Sequence, residues 1–470
     1  MSLLTVLGSP PFTPRSLFRS TSTIGAIYDY DDFSYLYQKA DGSVPITALE
    51  QPVGLVVDQR WGGVLGSELL ATGTTGLVGT STAASYKTST GAGSVTRVDV
   101  SNQSYVKFGV TASRWYRISV TNTGPAQLLI RDISGTTILS TFATIASGAS
   151  FTGYIPAISG ICFCANAGSL SFTLTSIREL PGLHAYQSTD AARPVLSARY
   201  NLLVGTATLA TQSVTTLAAS YTLTFTGSGT VTLSGTATGV KSAGTNVFTA
   251  TAGTLTLTVS GSVRRADLRL TADANSRIPA YQRVDTSTSY DSAGFPRFLR
   301  IDATDDFLQT ASVDPGTDKV FVCAGVTKVS DAATQIVVEL SSNTATKTNA
   351  FLLISTTAPA IAFGSKGTTY KESTKAVPAG PVTAVASLLG DIGAPSVSGR
   401  VNGDASTPTT TTQGTAANYG PHPIYIGARA GTSLRLNNGR IYPMVICFKA
   451  VTAGEIAATE AWVNARTRAY

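Results

Sequence analysis

Groups able to do acid–base, nucleophilic or metal chemistry are few in this chain, and their spacing limits what they can do. There are seven glutamates, of which Glu339, Glu372, Glu455 and Glu460 fall in the last third. Hydrolysis of a glycosidic bond needs two carboxylates on one face, an acid and a nucleophile or base. No stretch here carries the alternating Glu-x-Asp-x-x-Glu arrangement that would project such a pair from a strand. The acidic neighbours Asp305 and Asp306 would diverge on a strand, so a tight turn is the simpler reading and a calcium site the alternative. The two histidines sit in punctuated segments, His184 in Pro181-Gly-Leu-His-Ala-Tyr and His422 in Gly420-Pro-His-Pro. Neither follows a nucleophile elbow, and Gly-x-Ser-x-Gly, P-loop and HExxH patterns are missing. His422 with Tyr419 and Tyr425 forms a candidate rim for contacting a glycan. Cys162, Cys164, Cys323 and Cys447 lack metal-ligand spacing and stand among apolar residues, so buried free thiols and folding in a reducing cytoplasm are expected. The expected catalytic, cofactor and metal sets are therefore all empty, and no enzymatic activity is expected.

The elements that would carry these residues are strands. Only 13% of the 470 residues are charged, against ~25% in an average soluble domain, and serine, threonine and 44 glycines supply the polarity instead. That composition excludes a mainly helical protein. Mean hydropathy is +0.16, yet no run approaches the ~20 apolar residues of a spanning helix, so no membrane insertion is expected. The amino terminus has no basic stretch before its short apolar run and does not read as a secretory signal. The net charge of +7 is scattered; its tightest group, Arg264-Arg265, flanks a strand pattern, so nucleic acid is not an expected partner.

Composition divides the chain into five parts. Residues 1–66 carry early prolines and the aromatic, acidic run from Ile27 to Tyr37, and read as an extended arm rather than a self-sufficient core. Its docking candidates are Phe12, Arg15, Phe18, Arg19, Tyr28 and Tyr30; the alternative is a strap packed on the next domain. Residues 67–182 alternate at period two over 95–100, 105–110, 115–120, 127–133 and 169–177, the pattern of an antiparallel sandwich. Residues 183–205 read as a linker. Residues 206–279, written in Thr, Leu, Val and Gly, read as a small sandwich, and 280–470 as a last β module. That module closes on the one convincing helix, capped by Thr452 with Glu455 and presenting Ile456, Thr459, Trp462 and Val463 on one face. The fold expected is all-β, several antiparallel jelly-roll sandwiches behind an extended N-terminal arm with one short C-terminal helix.

The stretches Tyr425-Ile-Gly-Ala-Arg, Asn438-Gly-Arg-Ile-Tyr-Pro-Met-Val-Ile-Cys-Phe and Val451-Thr-Ala-Gly-Glu-Ile, with the Trp-containing helix, resemble the end of a concanavalin A-like (laminin-G-like) sandwich. Phe298-Leu-Arg-Ile-Asp-Ala-Thr-Asp-Asp-Phe-Leu-Gln-Thr is similar to its opening strand. The run Tyr28-Asp-Tyr-Asp-Asp-Phe-Ser-Tyr-Leu-Tyr-Gln, followed by Val44-Pro-Ile-Thr-Ala-Leu-Glu-Gln-Pro-Val-Gly and Leu65-Gly-Ser-Glu-Leu-Leu, resembles the start of tailed-bacteriophage virion proteins, in which it precedes a carbohydrate-binding-like jelly roll. The resemblance implies a fibre, spike or decoration made in the host cytoplasm and located in the virion. Its implied partners are other virion proteins (capsid, portal or adaptor, tail), further copies of itself, a trimer foremost, and host-surface polysaccharide if it is also an adhesin.

Overall fold

The computed structural model describes residues 12–20, 23–77, 84–96, 104–112, 114–157, 159–302, 304–342, 348–415, 417–431, 433–434, 436 and 438–470. Its described strand pairings are all antiparallel and build five sheets. The all-β class with one C-terminal helix holds.

The first sandwich is built as its alternation dictates. One sheet runs Thr137–Ile145, Leu128–Ser134, Ile161–Ala165, Ser104–Phe108, Gly73–Leu77, and the other Ser150–Ala157, Arg114–Asn122, Ser169–Leu180, Ala92–Thr96, Ala84–Lys87. Along Ser169–Leu180, Leu170, Phe172 and Leu174 point inward, alternating with Ser169, Ser171 and Thr173, and a bulge after Leu174 resets the phase so that Ile177 rejoins the same core, while Leu180 is buried on the other face with Leu55, Val57 and Trp115. The strand expected at 95–100 overlaps Ala92–Thr96, residues 97–100 lying outside those described. Cys162 and Cys164 share the outer face with Tyr105, Leu129 and Ile133, and all four cysteines are buried free thiols.

Residues 206–279 form one five-stranded sheet, where two sheets were expected. The 17-residue strand Ala219–Gly235 serves different neighbours with its two halves: Arg264–Leu270 beside the first and Gly253–Ser260 beside the second, with Gly239–Ala250 running along both. The change falls at Gly227-Ser-Gly229, where the register slips and Gly227 takes a φ of +113° that a side chain would resist. Leucines and valines from both halves then share one core that includes Tyr221, Phe225, Val231 and Leu257. Period-two alternation marks the faces of a strand and carries no record of where it bends, so one bent sheet reads like two flat ones.

The largest correction concerns the arm and the linker. Two nine-stranded sheets form the last sandwich, and neither is confined to 280–470. Gly25–Tyr28 pairs with Arg440–Cys447, Tyr28 opposite Met444, while Gln51–Pro52 and Val195–Ser197 extend the same sheet beyond Phe298–Arg300. In the facing sheet, Leu36–Tyr37, Leu55–Val56 and Ala185–Tyr186 lie beside Leu308–Gln309. The predicted opening strand over 298–310 is thereby split between the two sheets. Over its described residues the N-terminal part is a strap on its own chain, paired into the sheets of the last module, while Leu55, Val57 and Tyr37 also pack against Trp115, Leu180 and Tyr154 of the next domain. The reason is burial: Phe18, Tyr28 and Tyr30 are almost fully enclosed, and Tyr28 donates its hydroxyl proton to the Leu183 carbonyl at 2.5 Å. The first sandwich and the bent sheet are thus inserted into a discontinuous third domain.

The helix Ala453–Thr467 forms as its signals predict. Thr452 Oγ1 accepts from the Glu455 amide at 3.2 Å and Glu455 Oε2 from the Thr452 amide at 2.8 Å, closing the capping box. Val463 packs against Phe321, Cys323, Val385 and Val445, alongside Leu17 and Phe18 of the N-terminal turn. Buried Glu460 accepts from Ser387 Oγ at 2.8 Å and from Arg400 Nε at 2.9 Å. Arg466, stacked on Trp462, reaches Asp29 at 2.8 Å and ties the helix to the strap.

Candidate functional site

The glycan-rim residues do not come together. Tyr419 is buried between the two large sheets, its hydroxyl 2.5 Å from Ser365 Oγ. Tyr425 alternates to the outer face of its sheet, between inward Ile424 and Ile426, and packs on Phe307. His422 is fixed in its turn, with Nε2 2.9 Å from the Thr348 carbonyl oxygen. The turn at Gly420-Pro421 lies between Tyr419 and the strand Ile424–Ile426, so Tyr419 enters the core while Tyr425 faces outward, which closeness in sequence conceals. Of the docking candidates, Phe18, Tyr28 and Tyr30 are enclosed and Phe12 is half-buried in the helix-side cluster, leaving Arg15 and Arg19 exposed.

His184 is no loose loop residue. Nδ1 accepts from the Asp58 amide at 2.9 Å, so Nε2 carries the proton and donates to the Leu180 carbonyl at 3.2 Å. Full burial pushes its pKa down to about 4. Asp58 beside it accepts from the amides of Ile27 and Leu183 and from Arg60, so one buried node joins the strap, the end of the first sandwich and the hinge, residues 183–205.

The acidic groups are structural. Asp302 Oδ1 accepts from the amides of Thr304, Asp305 and Asp306, and Asp306 accepts from the Asp302 amide, which is the expected tight turn. Carboxylate oxygens of Asp302, Asp305 and Asp306 lie within 4.8 Å of one another, close enough to share a cation, and the hydrogen bonds above are the turn's own. Burial, with the charges of Asp302 and Asp305, pushes Asp306 up to about 7. Glu339, opposite Tyr425, is also pushed up to about 7 by burial, against the Ser341 hydroxyl and the Arg429 guanidinium 3.8 Å away. A carboxyl near neutrality is what a general acid needs, but Glu339 is sealed from solvent. Its signal in the sequence was a lone charge in the apolar strand Gln335–Leu340.

Two clefts lie at seams between domains, where ligand sites are commonly found. A cleft of about 470 Å³ opens between the bent sheet and the third domain. Gln212, Ser213 and Thr215 line it from the sheet; Arg199, Arg300 and Asn438 line it from the third domain and hinge. Tyr200 and Phe298 form its floor, with the Arg440 guanidinium 4.6 Å from each ring centre and bonded to Asp273 at 2.8 Å. Arg199 is committed to the carbonyls of Asn201 and Leu202. Arg300 is 48% exposed, with Glu50 at 3.4 Å, and its guanidinium can reach a ligand. Among the described lining residues there is no carboxylate, histidine or cysteine. The cleft can hold a polyhydroxylated molecule.

No family model and no curated protein matches this chain. Solved structures similar to it include the CBM40 of Ruminococcus gnavus IT-sialidase bound to α2,3-sialyllactose, at a TM-score of 0.26 and 14% identity over 35% of this chain and 95% of that one. The receptor-binding domain of botulinum neurotoxin mosaic serotype C/D gives 0.28 and 9% over 33% and 40% of the two chains. Trypanosoma rangeli sialidase in complex with the inhibitor DANA gives 0.28 and 12% over 35% and 27%. Likenesses this slight carry no functional argument, which rests on the geometry of the clefts.

Proposed function

We propose that this chain is a non-enzymatic structural protein of a tailed-phage virion, a fibre, spike or decoration, and that it binds host-surface polysaccharide in the 470 Å³ cleft. The observation that carries the binding reading is the lining of that cleft: guanidinium, amide and hydroxyl groups over aromatic and aliphatic carbon, without an acid–base pair. The display reading is supported by the interwoven third domain, which holds two further β domains on one scaffold. Docking to capsid, portal or tail falls to exposed Arg15, by Gly62, and to Arg19 with Phe12, beside the helix start. Assembly as a homo-oligomer, a trimer foremost, belongs to the same reading.

The test applies the full chain and its Arg300→Ala variant to an array of host-surface polysaccharides. Saturable binding weakened at least tenfold by the substitution is expected; no binding to any polysaccharide overturns the adhesin half. The virion half is tested by incorporation, since Arg15→Glu with Arg19→Glu should leave a folded chain missing from particles. Undiminished incorporation overturns that docking assignment, and a monomeric mass on light scattering of assembled material contradicts the oligomer.

A further inference from the structure

A second cleft, of about 360 Å³, lies where strap, first sandwich, hinge and third domain meet. Its volume falls in the ~300–1,000 Å³ range of small-ligand sites. The strap contributes Arg60 and Trp61, the first sandwich Arg114 and Trp115, and the third domain Ser312 and Asp314.

The hydrogen-bonding groups here are unbalanced. Trp115 is 2% exposed, held edge-on by His184 at 5.5 Å and Tyr186 at 5.3 Å, and its buried indole N–H has no acceptor. Buried donors left without a partner are rare, and each asks for a reason. Arg114 stands half-exposed, 3.5 Å from Glu179. Arg60 is fixed by Asp58 and by the Thr23 carbonyl at 3.1 Å, with its guanidinium 5.8 Å from the Trp61 ring centre. An indole N–H and the Arg114 guanidinium call for an acceptor-rich, anionic group. Two indoles offer flat carbon surface, while the exposed Ser312 hydroxyl and Asp314 carboxylate can take ligand hydroxyls.

We propose that this junction cleft binds a carboxylate-bearing sugar residue, its carboxylate received by Arg114 and the Trp115 N–H and its hydroxyls by Ser312 and Asp314. The site is separate from the 470 Å³ cleft and shares no lining residue with it.

The chain has three tryptophans, so tryptophan-selective ¹⁵N labelling of the full chain gives three indole signals, one each from Trp61, Trp115 and Trp462. Titration with glucuronic acid should move the Trp61 and Trp115 signals saturably and leave that of Trp462, on the helix, in place. Glucose should move none. Arg114→Gln should weaken the effect at least tenfold; Trp115→Phe, which keeps a ring and removes the donor, should do the same read at Trp61. If Trp115→Phe fails to fold, exposed Arg114 alone decides. Arg300→Ala should change nothing, which separates this site from the other cleft. An unmoved Trp115 signal, or glucose acting as well as glucuronic acid, overturns the proposal.

Discussion

Deleting residues 1–30 removes the strand Gly25–Tyr28 and the turn Pro14–Phe18 from a sheet whose partner strand is Arg440–Cys447. The side chains lost include Leu17, Phe18, Ile27, Tyr28 and Tyr30, none more than 3% exposed. At roughly 1.5–3 kcal/mol for each fully buried large side chain, their loss costs about 10 kcal/mol. That equals the whole stability of a typical domain, ~5–15 kcal/mol. The truncated chain is therefore expected to lose the third domain as a cooperative unit while the first sandwich, whose core lies within residues 95–177, stays folded. Calorimetry should show one transition missing and another kept, and Trp462, packed on the third domain by its helix, should become solvent-exposed. A finer probe is Tyr28→Phe, which strands the Leu183 carbonyl and costs about 1–3 kcal/mol. A truncated chain that melts like the parent would refute the assignment of the strap to the third domain and restore an independent arm.

Other outcomes follow from the buried groups. His184 has a folded pKa near 4, below its unfolded value of about 6.5, so its contribution is present above pH 6.5 and lost as pH falls through 4, to a total of about 3 kcal/mol; His184→Gln should flatten that part of the stability–pH curve in denaturant titrations. Glu339 has the opposite sign, its folded pKa lying above the unfolded value, so Glu339→Gln should stabilise by up to about 3 kcal/mol at pH 8 and by far less at pH 4. Glu460→Ala leaves Arg400 and Ser387 without their carboxylate and should cost about 2–3 kcal/mol in chemical denaturation, with the helix released earlier than the sheet. All four thiols should be silent to a thiol reagent in the native chain and titrate together on unfolding; fast reaction of any one in native conditions would contradict its burial.

Much of the fold was legible because it is written locally. The alternation of Leu170, Phe172 and Leu174 with serines announces a half-buried strand, and Thr452 with Glu455 announces a helix start; both stand where expected. The third domain was not legible, because its N-terminal strands are two to four residues long and too short for any period, and their partners come from elsewhere in the chain. A tyrosine-rich segment looks the same whether its rings will cover a partner or its own chain, and only Tyr28 meeting Leu183 separates the two. The clefts were invisible for the same reason: Trp61, Trp115 and Asp314 become neighbours only after the first sandwich docks on the third domain and its strap. The rim of Tyr419, His422 and Tyr425 failed because closeness in sequence says nothing about which side of a sheet a ring occupies.

Because Tyr28 lies opposite Met444, the strap leaves the ribosome long before its partner strand is made. At ~5–20 residues per second, the interval is roughly 20–80 s. Over that time the first sandwich can close on itself, while Ile27, Tyr28 and Tyr30 wait without a sheet to join. The last domain to fold is thus the one whose paired strands are made furthest apart in time, and synthesis acts as its clock. A chain stalled before Arg440 would expose the strap's apolar residues to chaperones and to neighbouring nascent chains, so cellular yield should depend on late elongation as much as on final stability.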